Sequence, residues 1–311
     1  MTDTLERQQL GRFATAEYRI RVALDRRELE AMLSEDRPLA AYALGNLERD
    51  LFENASFYLA DGPAGRGIVM HGSGMGTATI TLGAPEAIDA ILSIHPGPRR
   101  SYLSTATPEQ MPTLRRIYRI TAELPMRRMS NSREHFVPKS GETRRLTGRD
   151  IGCLNNLYAS EGGPSFYRAA AIDRAVYYGA FDGTRLVAVA GSHIVAPNIG
   201  IAVVGNVFTD AAYRSCGLAT VTTSAVTEAL LVRGCADIVL TVDPANTPAV
   251  HAYRRLGYSF GSHVIEARIL RKDLLGIGPS LRRRAALRRG QFEEPPGTEI
   301  VTRLSGSEHG S

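Results

Sequence analysis

The sequence has no tryptophan, only three cysteines and no apolar run long enough to cross a membrane. Because Cys153, Cys216 and Cys235 are scattered, we expect neither a disulfide framework nor a cysteine-based metal site. A membrane-spanning helix needs about 20 mostly apolar residues, and the first residues lack the basic and then apolar pattern of a signal peptide. We therefore expect a chain without a membrane segment or metal, located in the cytoplasm.

The charge balance gives little indication of a nucleic-acid partner. The chain carries 37 Lys and Arg against 32 Asp and Glu, a formal net charge of +5. Much of this excess lies in an arginine cluster at 282–289. Such a cluster can bind phosphates, but no aromatic residues are interleaved with it. We interpret it as a solvated helix face or a disordered tail, and we consider a nucleic-acid partner unlikely.

A strand followed by a turn and a helix stands out in the C-terminal half. The apolar run from Val203 to Phe208 predicts a buried strand, and a turn at Arg214 and Gly217 precedes a helix over about 218–233. The first amides of a helix have no partner within it, so this turn can bind an anion such as a phosphate. An ordinary strand-turn-helix connection is the alternative interpretation.

A second strand and a short helix come next. Residues 236–243 predict another apolar strand, and residues 247–256 predict a helix. Asn246 or Thr247 is placed to cap the start of this helix, and Gly257 is placed to end it in a left-handed conformation.

Together these segments resemble the acyl-CoA site of the GNAT N-acetyltransferase superfamily. The resemblance covers about 142–270, and the combined spacing is more specific than either part. It rests on two motifs, Arg214-x-x-Gly217-x-Ala219 and Asn246-x-x-Ala249-x-x-x-Tyr253-x-x-x-Gly257-Tyr258.

The resemblance implies an α/β fold with a mixed sheet whose central strands splay apart. It also implies an acyl-CoA-dependent N-acyltransferase that takes an acetyl group from acetyl-CoA as co-substrate. An amine of a small molecule or peptide would attack the thioester directly. Two alternatives stay open. One is a catalytically inactive acyl-CoA-binding sensor or regulatory module, and the other is a transferase that uses an aminoacyl-tRNA or a longer acyl donor.

The resemblance also assigns roles to particular residues. Tyr253 would protonate the departing thiolate, because a phenol titrates near pH ~10 and is protonated at neutral pH; the alternative is a packing role on a short helix. Main-chain N–H groups near Val207 would stabilise the oxyanion. The residues expected to contact the donor are Asn206, Val207, Phe208, Arg214, Ser215, Cys216, Gly217, Leu218, Ala219, Thr220 and Asn246.

The chain departs from the family pattern at Ser215 and Cys216, where many relatives carry a basic residue followed by glycine. Loss of a cation predicts weaker donor binding rather than none, because anion binding at a helix start relies mainly on main-chain groups. A reactive thiol at Cys216 is possible in this environment, but a tolerated small side chain is the interpretation we favour.

The attacking amine must lose a proton to a base or to an ordered water. Glu161 in a glycine-containing loop and His193 on a strand are the candidates, and His251 is a weaker third. A surface carboxylate and a hydrogen-bonded strand histidine are the corresponding structural interpretations. Phe166 and Tyr167 are candidates for contacting the acceptor, or for packing.

The N-terminal half lacks these motifs but has a similar order of elements. Its pattern predicts strands at 55–60, 66–72 and 76–82, a helix at 85–94 and a strand at 100–105. This order predicts a degenerate second copy of the α/β module, a layout that resembles glycine N-acyltransferase-like proteins.

We therefore predict three parts. Residues 1–137 form a GNAT-like, non-catalytic domain that shapes the substrate site or acts as a dimer-like partner. Residues 138–275 form the catalytic GNAT domain, and residues 276–311 form a basic, flexible tail. The chain is expected to be a monomer or a homodimer.

Overall fold

The computed structural model describes residues 18–73, 76–162, 167–273 and 275–294. The N-terminal half begins with the elements β1 (Arg19–Ala23), α1 (Arg26–Leu33), α2 (Ala41–Gly45), α3 (Arg49–Phe52), β2 (Ala55–Gly62) and β3 (Gly65–Gly72). It continues with β4 (Ala78–Gly83), α4 (Pro85–Ile94), β5 (Arg100–Ala106), α5 (Met111–Ile117) and β6 (Tyr118–Ser132).

The C-terminal half repeats this order of elements. It comprises β7 (Arg144–Arg145), α6 (Ile151–Ala159), α7 (Ala169–Arg174), β8 (Tyr177–Asp182), β9 (Arg185–Ala196), β10 (Ile201–Thr209) and α8 (Leu218–Val232). After these come β11 (Asp237–Val242), α9 (Thr247–Arg255), β12 (Ser259–Arg271), α10 (Ile277–Arg288) and β13 (Phe292–Glu293).

All thirteen strands of the described ranges join one mixed sheet, in the order β13-β1-β2-β3-β4-β5-β12-β6-β11-β10-β9-β8-β7. The two halves exchange their long last strands at its centre. β12 lies between β5 and β6, and β6 lies between β12 and β11. Each half therefore completes the sheet of the other. The α/β fold with a mixed sheet agrees with the prediction.

Side chains of alternate strand residues enter different cores, as the period of a β-strand requires. On β3, Ile68 and Met70 pack toward α1 to α3, whereas Val69 packs toward α4. The core around α1 to α3 also includes Ile201 and Val239 from the C-terminal half. These N-terminal helices therefore cover strands of both halves. Helices α8 and α9 pack on the opposite face of β9 to β11.

Specific contacts connect the two halves. Arg37 forms an ion pair with Asp237 at 2.6 Å and donates to the carbonyl of Ile199 at 2.9 Å. Gly45 of α2 packs against Ile194 of β9, and a β-carbon at Gly45 would lie 2.2 Å from Cγ2 of Ile194. The close approach of α2 to β9 therefore depends on a glycine. It places α2 over the strand next to β10.

Up to Glu294, the basic C-terminal segment is a packed helix and a short strand, which agrees with the helix interpretation rather than with the flexible tail predicted for 276–311. Helix α10 packs on α4, and β13 extends the sheet by pairing in parallel with β1. Pro279, Ala286 and Phe292 are buried there, which gives this arginine-rich segment an apolar side that anchors it. Leu281 and Arg288 lie on its exposed face. The boundaries at 137/138 and 275/276 stay predictions.

None of the helices in the described ranges has the length and hydrophobicity that a membrane span requires.

Candidate active site

The parallel strands β10 and β11 pair at one end and separate at the other. Residues 201–204 pair with residues 237–240. Within the described sheet, beyond Val204 and Leu240, β10 pairs only with β9 and β11 pairs only with β6. A wedge therefore opens between two neighbouring strands, with main chain on both sides, at the point where the sequence predicts splayed strands.

The turn from β10 into α8 leaves a row of main-chain amides without partners in the described part of the chain. Ser215 and Gly217 both adopt positive φ, 64° and 78°, and the first helical bond runs from the amide of Val221 to the carbonyl of Gly217 at 3.1 Å. Among the described residues, the amides from Ser215 to Thr220 have no hydrogen-bond acceptor. Because these amides begin a 15-residue helix, they form an anion site.

Two charged side chains meet beside this turn. Arg214 forms an ion pair with Glu161, and its Nε donates to the carbonyl of Thr209 at 3.3 Å. Both charged side chains are largely exposed, at 53% and 36%. Cys216 is exposed in the same turn, and its thiol donates to the carbonyl of Arg214. The structure thus brings Glu161 to the anion site.

Strand β10 contains a bulge at Asn206 and Val207. The register with β9 shifts between Gly205 and Phe208, and in this part of the described sheet neither bulge residue has a cross-strand partner. Asn206 has a positive φ of 54°, a conformation that asparagine tolerates better than most residues. The bulge turns the side chain of Asn206 toward Tyr167 and Tyr177, while Val207 packs with the core of α8 and α9.

Three tyrosines hydrogen-bond Asn206. Tyr158 donates to its main-chain carbonyl at 2.6 Å, and Tyr167 donates to its Oδ1 at 3.0 Å. Its Nδ2 donates to the hydroxyl of Tyr177 at 2.6 Å. Burial raises the pKa of each of these phenols. They are therefore neutral hydrogen-bonding groups that fix the bulge, and the carbonyl of Asn206 is occupied by a protein donor.

His193 of β9 lies beside the same bulge. Its Nδ1 is 2.8 Å from the hydroxyl of Tyr42, a residue of α2 in the N-terminal half. The nearby Asn206 side chain acts to raise the pKa of His193, but burial outweighs it. Burial lowers the pKa of His193, with a contribution from Arg128. The imidazole is therefore neutral near pH 7 and joined to both halves.

Tyr253 of α9 is 6% exposed and lies in the core that also includes Val207. Its ring contacts that of Tyr258 edge to face, with 6.1 Å between centroids. Among the described residues its hydroxyl has no hydrogen-bond partner, and the oxygen still reaches the surface. Burial raises the pKa of Tyr253 to about 12, so this phenol keeps its proton at neutral pH.

The other predicted residues lie at the edge of this arrangement. The side chain of Asn246 caps α9 by accepting from the amide of Ala249 at 3.2 Å, which leaves its Nδ2 for other contacts. His251 is exposed on α9. Phe166 lies outside the described residues.

The corresponding wedge of the N-terminal half is filled by a side chain. Strands β4 and β5 pair only at residues 78–79 with 102–103. Gln110 then accepts from the hydroxyl of Thr81 at 2.7 Å and donates to the carbonyl of Gly83 at 3.0 Å. Helix α4 follows Gly83 almost directly, with Pro85 and Glu86 in its first turn. Proline lacks an amide N–H and glutamate repels anions, so the start of α4 does not form a comparable anion site.

Several residues of the site were not found from the sequence. Tyr42, Arg128, Tyr158 and Tyr177 lie in no recognisable motif and come together only through pairing across the sheet. Gly205-Asn206 within an apolar strand is a signal for a bulge that could have been used. No group of side chains suited to a metal ion occurs among the described residues.

The sequence of this region matches a known family. A family model described as the acetyltransferase (GNAT) family matches residues 150–258, the segment that contains the wedge, the anion site and Tyr253. Residues 150–258 form a GNAT acetyltransferase domain. Acyl transfer is the general activity that this match supports.

Solved structures support the fold of the GNAT domain. A Drosophila protein has a TM-score of 0.54 at 14% identity, with 79% of this chain and 87% of that chain covered. A GCN5-related N-acetyltransferase from Kribbella flavida has a TM-score of 0.51 at 16% identity, with coverages of 76% and 95%. At such identities the likeness concerns the fold alone. A search of curated proteins gave no match.

Proposed function

We propose that the GNAT domain transfers the acetyl group of acetyl-CoA to an amine of a small molecule or peptide. The observation that carries this proposal is the row of amides from Ser215 to Thr220, which have no acceptor among the described residues. They lie where β10 turns away from β11. A diphosphate suits these amides, and an extended amide arm suits the main chain exposed in the wedge.

Arg214 adds a positive charge to the diphosphate site. In the structure this charge is shared with Glu161. A bound diphosphate competes with the carboxylate for the guanidinium, so Glu161 weakens donor binding in this proposal. Glu161 therefore acts at the donor site, and we assign the base to His193 instead.

Tyr253 is the proton donor to the departing thiolate in this proposal. Its hydroxyl is protonated at neutral pH, has no protein partner among the described residues and lies in the same core as Val207. Transfer then needs no covalent intermediate: the amine attacks, the thiolate leaves and the phenol supplies a proton. The bulge at Val207 offers a main-chain N–H to the developing oxyanion.

The N-terminal half is non-catalytic in this proposal. Gln110 occupies the wedge between β4 and β5, and the start of α4 repels anions. A role in shaping the acceptor side is favoured by α2, which lies over β9 next to the bulge.

Thiol release with acetyl-CoA and a panel of amines and peptides tests the proposal. We expect amine-dependent release of CoA. We also expect acetyl-CoA to raise the free energy of unfolding, by about 2.7 kcal/mol at a hundredfold excess over its Kd. S-acetylpantetheine lacks the diphosphate and should stabilise the protein less. Stabilisation by acetyl-CoA without thiol release from any amine would favour the sensor, and no stabilisation would contradict both.

A further inference from the structure

A buried chain of contacts leads from the centre of the sheet to the bulge of β10. It begins at Arg128 of β6, which is fully buried. Its guanidinium donates to the carbonyl of Ser104 at 3.2 Å, to the hydroxyl of Thr105 at 3.0 Å and to the hydroxyl of Thr241. The Nε of Arg128 has no partner among the described residues. This cation is therefore fixed in place by neutral groups.

Arg128 in turn holds Tyr42. The guanidinium carbon lies 5.1 Å from the centre of the Tyr42 ring, within the range of a cation–π contact. Tyr42 and Gly45 are three residues apart in α2 and share one face of it. Gly45 contacts Ile194 and Tyr42 contacts His193. The ring is thus fixed from two directions, and its hydroxyl is placed at Nδ1 of His193.

The chain of contacts ends at the bulge. The ring of His193 covers the Cα of Gly205, the residue directly before the bulge. The charged or titratable groups that face His193 are Tyr42 of α2, Arg128 of β6 and Glu266 of β12. No carboxylate in the described chain contacts either ring nitrogen. The orienting group for this histidine therefore comes from the N-terminal half.

We propose that Tyr42 is a positioning residue of the acyl-transfer site, which accepts a hydrogen bond from Nδ1–H of His193 and so leaves Nε2 as the proton acceptor. This inference rests on the proposed function for the role of His193, but the tautomer does not depend on it. A neutral imidazole carries one N–H, so a proton on Nδ1 leaves the lone pair on Nε2.

The proton balance needs no further component. The amine gives its proton to Nε2 as its nitrogen bonds to the acyl carbon. The carbon–sulfur bond breaks, and the thiolate takes the proton of the Tyr253 hydroxyl. Solvent then returns the proton from His193 to Tyr253 before the next turnover.

Substitution Tyr42→Phe tests the proposal, because it removes only the hydroxyl and keeps the ring over Arg128. Tyr118→Phe is the control: Tyr118 is buried, whereas Tyr42 is partly buried, and Tyr118 donates to the carbonyl of Pro96 at 2.7 Å, away from the bulge. Two measurements are made on the full chain. One is the ¹⁵N chemical shift of the His193 ring, assigned by comparison with His193→Gln, and the other is acyl transfer against pH.

We expect the wild type and Tyr118→Phe to show Nδ1–H at pH 7.5, and Tyr42→Phe to show mainly Nε2–H. If the GNAT domain transfers acyl groups, Tyr42→Phe should lower kcat at least about tenfold with an unchanged KM for the donor. It should also move the acid limb of the pH profile to lower pH, because the imidazolium loses an acceptor. A wild-type Nε2–H tautomer overturns the proposal, as does an active variant with unchanged kcat. If no thiol is released from any amine, the proposed function fails. The tautomer of His193 then tests this inference by itself.

Discussion

The imidazole of His193 lies directly on the Cα of Gly205, so that a β-carbon at this glycine would be 2.3 Å from Cε1 of the ring. Gly205 immediately precedes the bulge residues, and the histidine ring makes one side of the same site. The absence of a side chain at position 205 is therefore a condition for the position of His193.

Gly205→Ala should displace the His193 ring or strain β10. We expect about 1–3 kcal/mol of lost stability, as for overpacked cores, together with reduced acyl transfer. Urea denaturation and initial rates measure the two effects. Gly152→Ala is the matched control, because a β-carbon there meets nothing within 4 Å and the residue lies in helix α6. That control should be neutral or more stable by up to ~1 kcal/mol. Equal stability of the two variants would contradict the expected clash.

Loss of the hydroxyl should affect kcat at one tyrosine and stability at its neighbour. Tyr253→Phe removes a hydroxyl without a described partner, so we expect little change in stability but a fall in kcat of about 10²-fold or more. Tyr258→Phe removes a bond of 2.8 Å to the hydroxyl of Thr227, so we expect a loss of about 1 kcal/mol with kcat retained.

Thiol-release rates under conditions where chemistry limits turnover, combined with thermal unfolding, separate these effects. A Tyr253→Phe variant with the full rate would show that the proton donor lies elsewhere.

Local patterns allowed the elements of the GNAT domain to be predicted from the sequence. The strand predicted from Val203 to Phe208 and the helix predicted over 218–233 lie within about two residues of β10 and α8. Both follow from chemistry close along the chain: an apolar run, a glycine in a left-handed turn and a helix start. The family motifs lie in the same segments, which is why the fold could be predicted together with them.

Contacts between residues far apart in the chain could not be predicted in this way. The exchange of β6 and β12 depends on pairing with the other half, and nothing within either strand encodes its neighbour. Tyr42 and His193 are 151 residues apart and meet only because α2 crosses to β9. A helix was one of the two interpretations of the arginine cluster, but the packing of α10 could not be predicted because its arginines conceal the few apolar residues that anchor it.

The ion pair between Arg214 and Glu161 allows two roles of this glutamate to be tested. Glu161 is either the partner of Arg214 at the donor site or the base of the reaction. Glu161→Gln should release the guanidinium for the diphosphate and lower the Kd for CoA, while Arg214→Ala should raise it. Little change in stability is expected, since exposed ion pairs contribute about 0–1 kcal/mol.

Calorimetric titration with CoA and acyl-transfer rates measure both effects. A Glu161→Gln variant with unchanged Kd but strongly reduced kcat would instead identify Glu161 as the base. That result would remove His193 from the proposed mechanism.

Two histidines of the N-terminal core should make the stability of the protein depend on pH. Burial lowers the pKa of His71 to about 4 and that of His95 to about 3. In the unfolded chain both titrate near ~6.5, so below that pH the unfolded state binds protons that the native state does not. The contribution of these two histidines to the free energy of unfolding is therefore fully present above pH ~6.5 and decreases as the pH drops toward 4. The slope is at most ~1.4 kcal/mol per pH unit for each histidine.

His95→Phe should make this dependence shallower. The new ring can keep the stacking with Tyr58, whose ring centre is 4.3 Å away, and the contact with Phe292 at 4.8 Å. It also removes an Nε2 atom that is buried without a partner among the described residues. Urea denaturation at pH 7.5, 6 and 5 measures the slope, with the exposed His251→Gln as the control that should retain it. A wild-type free energy of unfolding that stays constant from pH 7.5 to 5 would show that neither histidine is kept neutral by the fold.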